Sequence, residues 1–269
     1  MTHHTHLTRF ATLCQAAGGT VPEPIAHAIE LVNAAYACET RPTGFLDLTV
    51  DEVPAMVTDL AVRSHDSNFD TPEMGKDGLN LGVKAFAQAL NDEVRIAALP
   101  YLDQLVVDLR PRFDPIAATI TEAATTYGFT YRTNSDDVVE LDHDDAVDAW
   151  RSLRPALAEL MPIAQLRISM STLFSVGPLL EDMQRFTAPF ERVRGVNYSV
   201  AFAAGDNWAT DDAYYLEPVN RGADSARSID WLELSLRGLR LNTPSEVQAK
   251  IADRYAEHLR QPATTVSEA

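Results

Sequence analysis

Apolar residues recur at steps of four and three along the middle of this chain. One run extends from 102 to 127 without a miss, and a second follows between 146 and 164. Such alternation places apolar side chains on one stripe of a helix that packs lengthwise against another helix. The runs consist of Leu102, Val106, Leu109, Phe113, Ile116, Ile120, Ala123 and Tyr127, and of Ala146, Trp150, Leu153, Leu157, Leu160 and Ala164. We therefore predict a mainly α protein built around a long antiparallel helical hairpin of the coiled-coil kind.

Prolines interrupt both arms of the predicted hairpin. Pro111 and Pro115 lie in the first arm, Pro155 and Pro162 lie in the second, and Pro100 breaks or bends the helix before them. A proline removes a backbone donor and crowds the preceding turn, at a cost of about 3 kcal/mol in an ideal helix. Because Pro111 and Pro115 stand two positions beyond seam residues, we expect them to face away from the partner helix. The first arm should be kinked but continuous.

Three regions follow from the patterning. Residues 1–78 predict a small N-terminal helical region, and residues 79–190 predict the hairpin. Residues 191–269 predict a minor α+β region that ends in a helix and a disordered tail.

Two local patterns refine these regions. Two short strands, one with Phe129 and Tyr131 and one with Val138, Val139 and Leu141, flank the turn residues Asn134-Ser135-Asp136. This pattern predicts a short β-hairpin between the arms of the helical hairpin. The terminal helix should begin at Thr243-Pro244-Ser245-Glu246, which combines a capping box with proline at the first helical position.

Charge and composition exclude several classes of partner. The chain has 39 acidic and 22 basic side chains, for a net charge of −17. Such a surface repels phosphate backbones, so we expect no nucleic-acid partner. No apolar run approaches the roughly 20 residues that span a bilayer, and the first residues lack the pattern of a secretory signal. We expect a cytoplasmic or intravirion protein that is neither secreted nor bound to a membrane.

Catalytic and metal-binding motifs are scarce. The sequence contains no P-loop, no Gly-x-Ser-x-Gly elbow, no His-Glu-x-x-His pair and no Cys-x-x-Cys pair. Cys14 and Cys38 are too few for a disulfide framework, and whether they pair stays open. The acidic cluster between Asp136 and Asp145 lacks the spacing of a calcium loop, so helix capping explains it more simply. We predict no cofactor.

One constellation offers an enzymatic alternative. His27 opens an apolar helical stretch, and the pair His65-Asp66 follows later in the chain. The pattern resembles that of the HD-domain phosphohydrolases, in which a histidine, a His-Asp pair and a later aspartate hold metal ions. The resemblance implies that His27, His65 and Asp66 bind a divalent metal that activates water. The polar residues on both sides of the pair depart from the family pattern.

The favoured interpretation is non-enzymatic. Proteins built on extended helical hairpins present long faces to other chains, and a two-helix seam leaves Leu105, Leu166 and Phe174 in need of cover. We predict a structural, assembly or protein-interaction protein that acts through an extended helical surface. A second copy of the chain is the most natural partner, which would make the protein a homo-oligomer, and a viral particle component fits.

Three aromatic residues near the C-terminal region extend the candidate interface. Trp208, Tyr214 and Tyr215 stand among aspartates in a loop-rich stretch. Aromatic side chains on loops often anchor a partner, although the same residues can also pack on the helical core. Both interpretations stay open from the sequence.

Overall fold

Helices account for most of the chain in the computed structural model. It describes residues 3–37, 50–51, 53–55, 57, 78–141, 143–174, 176, 200–208 and 226–260. The helices are α1 (His3–Ala16), α2 (Glu23–Ala37), α3 (Gly78–Thr125), α4 (Ser135–Glu140), α5 (Ala146–Phe174), α6 (Trp231–Ser235) and α7 (Pro244–Arg260). Within these ranges the β structure is one isolated antiparallel bridge between Ala204 and Leu239. The mainly α fold is confirmed.

The first apolar run lies within α3, a helix of 48 residues. Its members from Leu102 to Ala123 are buried, which confirms the predicted stripe, and Tyr127 follows the helix half-buried. The helix continues through Pro100, Pro111 and Pro115. All three prolines are exposed, so the carbonyls that lose their helical donor lie on the face where water replaces it.

The second apolar run lies within α5. Ala146, Leu153, Leu160 and Ala164 are buried, and the other members of the run are half-buried. The helix extends ten residues beyond the predicted run and contains Pro155 and Pro162. That α3 and α5 pack against each other along their length as a hairpin stays a prediction.

The predicted β-hairpin is wrong, because α4 occupies its place. The side chain of Asn134 accepts the N–H groups of Asp136 at 2.8 Å and Asp137 at 3.3 Å. Asp137 Oδ2 in turn accepts the N–H of Asn134 at 2.9 Å, which completes a capping box. The cap starts a helix where two adjacent valines had indicated a strand.

Across residues 200–208 and 226–260, the C-terminal region contains less β structure than predicted. Residues 200–203 form a turn, and Trp231–Ser235 form the short helix α6. The predicted start of the terminal helix is confirmed, since α7 begins at Pro244. None of the described helices is both long and apolar enough to cross a membrane.

Two glycines, Gly18 and Gly19, follow α1, which ends at Ala16. Gly18 has a φ of +83°, in the left-handed region that favours glycine. A Cβ atom at Gly19 would lie 2.7 Å from Leu105 Cδ1 and 3.2 Å from Cys14 Sγ. Glycine at position 19 therefore permits a close approach that a larger residue would block.

The chain divides into two compact units. One comprises Met1–Ala11 and Val21–Ala98, and the other comprises Thr12–Thr20 and Leu99–Ala269. The boundary after Ala98 falls inside α3, beside Pro100. His27 belongs to the first unit, whereas Cys14, α4, α5, α6 and α7 belong to the second.

Candidate functional site

The described residues do not assemble the predicted metal site. His27 is exposed on α2, and its Nδ1 lies 3.9 Å from Glu30 Oε2, one helical turn away. His65 and Asp66 lie outside the described residues. Across the described ranges, no three histidine, cysteine or acidic side chains converge as metal ligands would.

The residues predicted to form an interface are buried where the structure describes them. Leu105, Leu166, Phe174 and Trp208 are each at most 4% exposed. Tyr214 and Tyr215 lie outside the described residues. Leu105, Leu166 and Phe174 are covered by this chain itself, so the need for cover that suggested a partner is met internally. The burial of Trp208 fits the alternative in which it packs in the core.

Cys14 is a buried thiol without a disulfide bond. Burial raises its pKa to about 11, so the thiol stays protonated and poorly nucleophilic at neutral pH. Cys38, the other cysteine, lies outside the described residues. Cys14 is therefore a packing residue of α1.

A network of charged groups surrounds the start of α7. The N–H of Glu246 donates to Thr243 Oγ1 at 3.2 Å, and the N–H of Thr243 donates to Glu246 Oε2 at 2.7 Å. This is the predicted capping box. Two side chains of α3 fasten it: Asp103 accepts the N–H of Ser245 at 3.2 Å, and Arg110 donates to Glu246.

Further ion pairs extend this network outward. Arg240 Nη2 donates to Glu246 Oε1 at 2.8 Å, while its Nη1 lies 3.6 Å from Asp206 Oδ2. Lys250 Nζ lies 3.3 Å from Asp206 Oδ1 and donates to the carbonyl of Ala204 at 2.7 Å. The network thus joins segments that are distant in the sequence.

The electrostatic environment favours the charged form of Glu246. Burial alone would raise its pKa, but the N–H of Thr243 and the guanidinium groups of Arg110 and Arg240 bring the pKa below its ordinary value. The Glu246 carboxylate therefore accepts hydrogen bonds from the helix cap and from Arg110 and Arg240. Such a group holds structure together and is a poor general base.

Arg167 carries a positive charge into the interior beneath this network. Its side chain is 2% exposed, and its Nε donates to the carbonyl of Asn242 at 3.0 Å. Burial lowers the pKa of Arg167 to about 10, while the charges of Asp103 and Glu246 act in the opposite direction. Arg167 Nη2 and Asn242 Oδ1 have no hydrogen-bond partner in the described part of the chain. The hydrogen bond from Arg167 therefore stabilises the position of the Asn242 backbone.

Sequence reasoning missed this buried arginine. The available signal was its position, since Arg167 falls between Ile163 and Met170 on the buried stripe of α5. A charged residue on such a stripe predicts a specific partner, because an unpaired buried charge is costly. The backbone carbonyl of Asn242 supplies that partner, from a segment 75 residues away.

Four large apolar side chains are exposed on the connection between α3 and α5 and on the first turn of α5. Tyr131 is 44% exposed, Val139 75%, Leu141 38% and Val147 36%. We call these four residues the connection surface. Val139 lies on α4 and Leu141 directly follows it, whereas Tyr131 precedes α4 and Val147 is in the first turn of α5. The helix α4 packs against α5, and its Val138 is buried.

Aromatic contacts fix the base of the connection. The rings of Tyr127 and Phe129 stack with centroids 5.4 Å apart, and Phe129 meets Trp150 edge-on at 5.2 Å. Tyr127 also meets His143 edge-on at 4.8 Å. The connection is therefore anchored to the first turns of α5 before any partner is present.

The charged network and the connection surface differ in whether their side chains are engaged within the chain. The charged network engages its groups with one another and with the backbone, whereas the connection surface leaves apolar side chains exposed. Compared with protein-family models, with curated proteins and with solved structures, the chain shows no match.

Proposed function

We propose that this protein acts by binding another protein rather than by catalysis. The supporting observation is the connection surface, where Tyr131, Val139, Leu141 and Val147 are all exposed within one short segment. Scattered exposed apolar residues are ordinary, but grouped ones are typical of protein-binding sites. The capped helix α4 and the aromatic base hold this group in place, which lowers the entropic cost of binding.

The proposal keeps a helical interaction surface but moves it to different residues. Self-association had been expected because Leu105, Leu166 and Phe174 needed cover, and these side chains are buried in the chain itself. The residues of the connection surface are instead exposed, so they are accessible to a partner. They belong to one unit and are exposed together.

Site-specific photocrosslinking tests the proposal. A photoreactive amino acid at Val139 or Leu141, in protein expressed in its native host, should yield an adduct with a defined protein. The matched control is position Leu236, which is 50% exposed and lies outside the connection surface. Adducts of equal yield at all three positions, or no adduct at Val139 and Leu141, would contradict the proposal.

Native mass spectrometry of the purified protein tests its non-enzymatic part. We expect a spectrum without stoichiometric manganese, iron or zinc. Stoichiometric metal that disappears in the His65→Ala variant would instead support the phosphohydrolase alternative. The same spectrum reports whether copies of the chain associate.

A further inference from the structure

The segment that carries the connection surface is rich in carboxylates. Asp136, Asp137, Glu140, Asp144, Asp145 and Asp148 are all exposed. Residues 131–148 contain seven acidic side chains and one basic side chain, Arg132. Arg132 lies over the ring of Tyr131, with its Cζ 5.3 Å from the ring centroid. The apolar side chains are therefore displayed within a field of negative charge.

Among the described carboxylates of this segment, Asp148 forms an ion pair with Arg151. Arg151 Nη1 lies 3.4 Å from Asp148 Oδ1, in a pair whose side chains are 75% and 82% exposed. Solvent screens such an exposed pair strongly, so its net contribution is small. The charge remains available to a partner that brings the opposite sign.

We infer that the connection surface binds a basic amphipathic segment of another protein, with an apolar stripe flanked by lysine or arginine. This inference rests on the proposed function and adds the chemistry of its partner. Apolar side chains of the segment would contact Val139 and Leu141, while its cations would lie near Glu140 and Asp144. Helix-in-groove and helix-on-face recognition commonly combine these two contributions.

The same charges exclude other occupants. A second copy docked through this surface would bring two acidic segments together, and like charges facing each other across an interface cost several kcal/mol. Nucleic acids and anionic membrane surfaces are repelled for the same reason. The surface therefore selects a cationic partner.

Fluorescence anisotropy with a defined peptide tests the inference. The probe is a labelled amphipathic helix of about 20 residues made of leucine and lysine at helical spacing. We expect the intact protein to bind it, and to bind poorly both a scrambled peptide of the same composition and a matched peptide with glutamate in place of lysine. Binding should weaken as salt rises from about 50 to 300 mM, since the exposed charges are screened.

Paired variants locate the binding site. Val139→Ser with Leu141→Ser should weaken binding about tenfold or more, and Glu140→Gln with Asp144→Asn should lower both the affinity and its salt dependence. Controls are Leu236→Ser for the apolar pair and Glu159→Gln with Asp253→Asn for the charged pair. These control side chains are exposed and lie outside residues 131–148. Circular dichroism should show that all variants retain wild-type helix content.

The outcomes separate this inference from the proposed function. Equal affinity for the scrambled or the glutamate peptide, no binding at all, or binding unaffected by the Val139 and Leu141 changes would overturn the basic-segment inference. A dimer that those changes dissociate would overturn it in favour of a second copy. The photocrosslinking result would still decide whether the surface binds protein.

Discussion

The side chain of Arg167 contributes to stability in two ways. Its aliphatic part fills interior volume, and its guanidinium donates to the carbonyl of Asn242. We expect Arg167→Ala to lower the free energy of unfolding by about 3–5 kcal/mol, because it removes both. Arg167→Met keeps most of the volume and loses the donor, so it should cost about 1–3 kcal/mol. Urea unfolding measures the difference.

The matched control for this prediction is Arg154→Ala. Arg154 is on the same helix but exposed, so its loss should change the free energy of unfolding by less than about 0.5 kcal/mol. Equal losses for Arg154→Ala and Arg167→Ala would show that the buried contacts contribute nothing specific.

Glu246 should make stability depend on pH in the acid range. Because its pKa is lowered in the folded protein, the unfolded chain binds a proton first as the pH falls. Its stabilising contribution is therefore complete above the ordinary pKa of 4.5 and is lost as the pH falls through the lower folded value. We expect Glu246→Gln to flatten this acid decline, measured by urea unfolding between about pH 3 and 7.

Glu159→Gln provides the comparison for the pH experiment. Glu159 is exposed on α5, whereas Glu246 contacts Arg110, Arg240 and Thr243. The variant should retain the acid decline of the wild type. The same flattening in both variants would assign the decline to general charge repulsion instead of to Glu246.

At the scale of elements, α3 shows how a long helix can continue through prolines. Pro111 removes the donor that the carbonyl of Val107 would otherwise receive, and both residues are exposed. Water can hydrogen-bond to that carbonyl, which lowers the penalty without abolishing it. The helix therefore continues at a reduced cost.

Pro111→Ala should stabilise the protein. The change restores a helical donor worth up to about 3 kcal/mol in an ideal helix, and it returns about 1 kcal/mol of freedom to the unfolded chain. We expect a net gain of about 1–2 kcal/mol, seen as a higher thermal midpoint. A lower midpoint would mean that the packing of α3 requires a bend at this proline.

The helix α4 illustrates where local patterns mislead. Two adjacent valines favour a strand, but propensity for a strand depends on a neighbouring strand to pair with. Asn134 and Asp137 instead supply a reciprocal cap that starts a helix. The spacing of these two residues was the better signal, since it satisfies backbone donors locally.

For the molecule as a whole, periodicity predicted the helices better than it predicted their partners. The buried stripes of α3 and α5 follow from residues such as Leu102 and Leu160, because burial and helical period act together along one element. Pairing across the fold is a different problem. The contact between Arg167 and the backbone of Asn242 joins positions that no local pattern connects.

The candidate site was predictable only in part. The acidic character of residues 136–145 is visible in the sequence, and helix capping was proposed for it. The structure shows such a cap for Asp137, at the start of α4. The exposure of Val139 is not visible in the sequence, because a short apolar run reads equally well as core. Val138, the preceding residue, is buried, while Val139 is exposed. The orientation of α4 on α5 determines which of the two valines faces the interior.

The close contacts at the two glycines after α1 should constrain which residues related sequences carry at these positions. A methyl group at position 19 would collide with Leu105, and one at position 18 would lie 2.8 Å from Arg112 Nη1. Substitution at this turn therefore demands compensation elsewhere. In any homologue that replaces Gly19, position 105 should hold a smaller side chain, so the two positions should covary.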